Sequence, residues 1–188
     1  MNRSKIIAIS IFLISLCSFG QQMEMPVEKQ IPLLIKVLSF NKSMSLEKKD
    51  FLVGVVFRKS LSTTDSVKNT VLQYNDSSQL TLSNGNAVRF TAIDLDRKDE
   101  METIFRKKAF SALYITPVEF SRIPVIANFC RERRIVSMTG VADFVEEGIS
   151  VGIGKRDQKP EILINLPVSV GEGANFSSRV LQIAKIYR

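Results

Sequence analysis

Four places in this sequence carry residue types that could hold a ligand or move a proton. Gly152-Ile153-Gly154-Lys155 has the glycines and the lysine of a phosphate loop. It lacks the wider glycine spacing and the Ser/Thr after the lysine, and it precedes a strand instead of a helix, so a hairpin turn is the better reading. Gly171-Glu172-Gly173 is better placed, because Ser177 and Ser178 follow it and can open a helix. Free backbone N–H groups at such an N-terminus attract anions. A flexible loop with ordinary serine capping accounts for the same residues. Asp94, Asp96, Asp99 and Glu100 form an acidic cluster. Their spacing does not match a calcium loop and no glycine makes its turn, so a solvated loop is the simpler account. Asp143, Glu146 and Glu147 are candidates for acid–base work only because carboxylate pairing is spatial and a sequence does not display it.

The absences are as informative. There is no histidine, there is no tryptophan, and there are two cysteines. Ser-His-Asp and Cys-His catalysis therefore fall away, as do histidine-bearing zinc and haem sites. Cys130 follows Ile126, Ala127 and Phe129 in an apolar helical run, and a buried inert thiol is expected. No catalytic residue, metal or cofactor is assigned, and a non-enzymatic protein is expected.

The elements that would position these residues can be read in order. The chain has 188 residues, 45% hydrophobic and 24% charged, which suits one folded domain. Residues 1–20 read as a signal peptide: Arg3 and Lys5 lead an apolar stretch from Ile6 to Cys17, with cleavage near Gly20. That leaves a domain over 21–188. Lipidation at Cys17 is disfavoured by the bulky Leu16 before it. If Cys17 leaves with the leader, Cys130 is alone and no intrachain disulfide forms. Losing Arg3 and Lys5 lowers the formal charge from +7 to +5. No basic block is long enough for a nucleic-acid partner. The densest, Arg131-Glu132-Arg133-Arg134, reads as a solvated helix end, with a docking patch for an acidic partner as the alternative.

Pro26 to Phe40 carries a helical stripe, with the regular helix starting near Pro32. Phe51–Phe57 is a β-branched and aromatic strand. Ser62 or Thr63 caps a helix that runs to Tyr74. Asn84-Gly85 marks a turn, and pairing of Leu80–Leu82 with Ala87–Ala92 is left open. Further strands are expected at Val88–Ile93, Ala109–Ile115 and Ile135–Met138. A short helix is expected at 99–106, a longer one at Val118–Arg131, started after or kinked at Pro124, and a helical turn at Val141–Val145. Ile149–Ile153 and Pro160–Leu166 form two strands joined by Gly154–Lys159. A closing amphipathic helix puts Val180, Leu181, Ile183, Ala184 and Tyr187 on one face. The alternation predicts an α/β fold: three layers, a mostly parallel sheet with helices on both faces, and a C-terminal antiparallel hairpin. This architecture resembles one lobe of a periplasmic binding protein. A pocket in such a sheet lies outside the carboxyl ends of the strands, near Arg58, Asp94 and Thr116.

Asn165-Leu166, a short loop, then Ser177-Ser178-Arg179-Val180-Leu181 with Ala184 resemble the C-terminal signature of the YfiR-like family. Glu28-Lys29 and the run ending in Phe40 are similar to that family's opening helix. The resemblance spans nearly all of 21–188, with its specific part in residues 161–184. It implies a small periplasmic regulator, often dimeric, that binds the periplasmic domain of an inner-membrane signalling protein. The best-known kind represses a diguanylate cyclase and so acts on cyclic-di-GMP. The partner-binding surface would then lie around Asn165, Ser177, Ser178 and Arg179, whose alternative roles are satisfying backbone groups and capping. Two departures stand out. Leu163 occupies a place where members often carry an acidic residue, and the cysteine pairs of the redox-controlled repressor are absent. No direct membrane insertion is expected after leader cleavage. The competing expectation is a single-lobe small-ligand-binding module serving a transporter or receptor, with its second wall supplied by a dimer or a partner.

Overall fold

Phe51–Phe57 (β1) forms the strand that its β-branched and aromatic residues favour. It pairs in parallel with Val88–Asp94 (β2) on one side and Ala112–Ile115 (β3) on the other. Val136–Thr139 (β4), Val151–Arg156 (β5), Lys159–Asn165 (β6) and Lys185–Tyr187 (β7) complete a seven-stranded sheet of order β2-β1-β3-β4-β5-β6-β7. Every pairing is parallel except β5 with β6, the expected hairpin. This computed structural model describes residues 23–44, 51–97, 103–105 and 107–188. The leader expected at residues 1–20, Cys17, Asp99, Glu100 and much of the helix expected at 99–106 lie outside the described residues.

Helices cover both faces of the sheet. Val27–Leu38 (α1) and Ser62–Ser77 (α2) pack Ile31, Leu34, Leu38 and Val71 against Val53, Val55, Ala112 and Tyr114. Ile123–Arg133 (α3) and Asp143–Glu146 (α4) pack Ile123, Ile126, Cys130 and Phe144 against Val56, Leu113 and Ile115. Alternate residues of β1 and β3 thus feed opposite cores, as strand periodicity requires. Leu166–Gly171 (α5) and Ser178–Ile183 (α6) are short helices between β6 and β7.

Several boundaries differ from the sequence expectation. α1 begins at Val27, ahead of Pro32, because the Lys29 and Gln30 N–H groups already donate to the Pro26 carbonyl. Pro32 lies inside the helix and leaves it without the bond that residue would have donated. Neither Ser62 nor Thr63 caps α2; Leu61 holds the cap position without a side-chain bond. β3 starts at Ala112, later than Ala109. Pro124 sits in the first turn of α3, where its missing N–H is harmless. Thr81 and Ala87 form one antiparallel bridge and no longer ladder. Gly152 to Lys155 lie within β5, and the turn is Asp157-Gln158, both with positive φ. The closing helix stops at Ile183, and Tyr187 belongs to β7. α5 was not expected at all.

One polar residue sits on the apolar face of α1. Gln30 is fully buried. Its Nε2 donates to the Met25 carbonyl at 2.7 Å and to the Gly140 carbonyl at 3.3 Å, and its Oε1 accepts from the Tyr114 hydroxyl at 3.2 Å. A side chain at Gly140 would collide with the Gln30 amide. Tyr114→Phe leaves Gln30 Oε1 without that donor, and urea denaturation should show a loss of about 1–3 kcal/mol. An unchanged midpoint would mean that the bond adds nothing.

Candidate functional site

The chain runs from β1 outward to β2, then crosses back over β1 to β3. Connections leaving in opposite directions open a crevice between the carboxyl ends of β1 and β3, the usual ligand position in open α/β sheets. Arg58 and Thr116 stand there, one residue beyond each strand. The buried Thr116 hydroxyl donates back to the Val56 carbonyl at 2.9 Å. Thr64 Oγ1 accepts the Arg58 N–H at 3.0 Å, so the first turn of α2 fixes the Arg58 backbone. The Arg58 guanidinium reaches Asp96 Oδ1 at 2.7 Å on one side and ion-pairs with Glu119 on the other. Asp96 also accepts the Ser60 N–H at 2.8 Å. The crevice is thus bridged by its own ion pairs. Asp94 and Asp96 of the acidic cluster serve as acceptors here: Asp94 takes the Lys59 and Asp96 N–H groups.

A cavity of about 310 Å³ lies beside the crevice, lined by Phe57, Lys59, Asp65, Lys68, Asp94 and Ile104 among others. Asp94 lines it as expected, whereas Arg58 and Thr116 do not. Lys68 pairs with Asp65 at 2.9 Å and lies 4.7 Å from the centre of the Phe57 ring. Among the described residues, no group of three or more His, Cys, Asp or Glu could hold a metal ion. Asp143, Glu146 and Glu147 are exposed on and beside α4.

The four residues of the expected docking surface have different surroundings. Asn165 caps α5: its Oδ1 accepts the Val168 N–H at 3.3 Å, and its Nδ2 donates to the Val145 carbonyl at 2.8 Å. Pro167 in the first turn is the sequence signal for that helix. Ser177 occupies the cap position of α6 without a capping bond, and its Oγ is buried without a partner. Ser178 and Arg179 are exposed. The segment before them is clasped to the end of α1. Ser177 N–H donates to the Phe40 carbonyl at 3.0 Å, Lys42 N–H to the Asn175 carbonyl at 2.9 Å, and Asn175 N–H to Asn41 Oδ1 at 2.8 Å. Asn41 and Phe176 form the bridge between them.

Glu172 does not leave the glycine loop free to hold an anion; its carboxylate turns inward and is 1% exposed. It accepts from the Ser137 N–H at 2.8 Å, from the Ser137 hydroxyl at 2.6 Å, and from the Ser150 hydroxyl. Burial pushes this carboxyl up to about 7, against the Ser137 and Ser150 hydrogen bonds and the Arg131 charge, which pull it down. Cys130 is buried and free, and burial first, then the Glu172 charge, push its thiol up. Arg131, Arg133 and Arg134 are exposed at the end of α3. The Glu172 cluster had one legible sign: Ser137 and Ser150 interrupt apolar runs.

The fold is that of one lobe of a substrate-binding protein. Solved structures sharing it include a ligand-free, open substrate-binding protein with adhesive properties from Clostridium difficile, at 15% identity and a TM-score of 0.52, covering 74% of this chain and 55% of that one. An ABC domain in complex with L-Trp from Streptococcus pneumoniae has 13% identity and a TM-score of 0.56, covering 86% and 60%. A conserved domain protein from Vibrio cholerae has 13% identity and a TM-score of 0.58, covering 87% and 60%. The chain therefore spans less than two thirds of the length of each of these structures. No curated protein matches the sequence. A profile described as YfiR/HmsC-like matches residues 55–185, and the chain belongs to that family. Among the described residues, no helix is long and apolar enough to cross a membrane.

The crevice makes an acid-range prediction. The Ser60 N–H first, and then Arg58, hold the Asp96 carboxyl down at about 2, from an ordinary 3.8. A depressed carboxyl adds stability above its ordinary value, and that stability is lost as pH falls toward the depressed one. Thermal midpoints should therefore fall more steeply from about pH 4 to about pH 2 in the wild type than in Asp96→Asn. Parallel curves would show that Asp96 carries none of this dependence.

Proposed function

We propose that this protein is a periplasmic regulator that docks on the periplasmic part of a membrane signalling protein and restrains it. Membership of the YfiR/HmsC-like family over residues 55–185 is the observation that carries this reading. The family's best-known repressor points to a diguanylate cyclase as the partner, and so to cyclic-di-GMP signalling. Residues 1–20 act as the exported leader, and 21–188 as the working domain. The bridged crevice supports a protein partner over a small ligand, because Arg58 is already neutralised by Asp96 and Glu119. Ser178 and Arg179 are the exposed contacts of the docking surface, while Asn165 and Ser177 shape it from beneath.

A second reading is a small-ligand-binding module serving a transporter or receptor. The lobe fold and the 310 Å³ cavity favour it. A dimer or a partner would have to supply the second wall.

Capture from the native envelope, with a C-terminal tag and mild crosslinking, separates the two. The regulator reading expects one membrane protein with a periplasmic domain. Recovery of the protein alone, or with a bound small molecule, moves the weight to the module. Arg179→Glu should cut that recovery about tenfold with an unchanged urea midpoint, since arginine is enriched among the few contacts worth more than about 1 kcal/mol. Asn165→Ala should instead lose about 1 kcal/mol of stability as a lost helix cap. Full recovery with Arg179→Glu would remove that residue from the interface.

A further inference from the structure

Glu172 sits between Gly171 and Gly173 on the segment that joins α5 to α6. Both of its oxygens are engaged from the sheet, by Ser137 at β4 and by Ser150 ahead of β5. Ser137 Oγ also accepts the Ser150 N–H at 2.9 Å, which ties the two serines into one unit around the carboxyl. The charged and titratable groups facing Glu172 both lie on α3. They are Arg131, whose Nη1 donates to Asn128 Oδ1 at 3.3 Å, and the buried Cys130 thiol. Arg134 packs over Gly173. Among the described residues, no ion pair neutralises the carboxylate.

We propose that Glu172 is a proton-operated latch on the segment from Gly171 to Ser177: the neutral carboxyl keeps the segment seated on Ser137 and Ser150, and the ionised carboxylate releases it toward water. A buried anion with hydrogen bonds but no paired cation is costly, and solvation relieves that cost. A neutral carboxyl keeps its place by donating to a serine hydroxyl that rotates to accept it. The seated carboxyl binds its proton more tightly than a solvated one, with a value of about 7 against the ordinary 4.5. Seating is therefore complete at low pH and weakens as pH rises between those two values. The segment leads directly into Ser177, Ser178 and Arg179, and the latch stands whether or not that surface meets a partner.

Amide hydrogen exchange of the purified protein tests this. The amides of Gly173, Ala174, Asn175 and Ser177 are bonded in the seated state. Their exchange, corrected for intrinsic base catalysis, should rise by about tenfold or more from about pH 5 to about pH 8 in the wild type. It should stay flat in Glu172→Gln. Carbon-13 titration of the wild-type carboxyl should show a midpoint near neutrality, a reading independent of how well the variant folds. Ser150→Ala, which removes one donor and keeps the carboxyl, should move that midpoint higher. Equal pH dependence in the wild type and Glu172→Gln, a midpoint in the ordinary carboxylate range, or no shift in Ser150→Ala would each overturn the latch.

Discussion

The arrangement hangs on how α1 is held to the sheet. Apolar burial brings a helix to a sheet without saying where it stops, because the hydrophobic effect is non-directional. Ile31, Leu34 and Leu38 supply that burial. The Gln30 amide selects the position, since its bonds to the Met25 and Gly140 carbonyls and to the Tyr114 hydroxyl are met together only here. Gly140 takes part by having no side chain where the amide must lie. With α1 in place, Asn41 comes within reach of Asn175, and both ends of the domain are positioned.

The sheet was largely legible in the sequence because its central strands are buried on both faces. Phe51–Phe57 reads as a strand on composition alone, and so does the hairpin at β5 and β6. The last stretch was harder. The spacing of Val180, Leu181, Ile183, Ala184 and Tyr187 fits a helix, but the chain leaves the helical region at Ala184 and pairs Ile186 with Ile164. Periodicity over so few residues does not separate a short helix from a helix followed by a strand. Asn165 stood out as a residue with a role, whereas its work as a cap depends on the Pro167 turn that follows. The partners of Glu172 were out of reach, because Ser137 is 35 residues away and meets it only once the sheet is built.

The two ends of the sheet have different characters. At the carboxyl ends of β1 and β3, the Arg58 cation is held between two carboxylates, Asp96 and Glu119, from two other segments. Such a bridge holds loops together more than it invites an ion. On the α5–α6 side, the polar groups are spent on local architecture, through the Asn165 cap and the carboxylate beneath the glycine loop. Ser178, Arg179 and the arginines ending α3 are among the groups that stay exposed. A surface of this kind meets another surface more readily than it encloses a small molecule.

The clasp between residues 40–42 and 175–177 joins segments that are far apart along the chain. Opening one side strips hydrogen bonds from the other, so neither the first helix nor the last can fray alone. Whatever loosens one side of the clasp is therefore felt on the other, and the two segments open together.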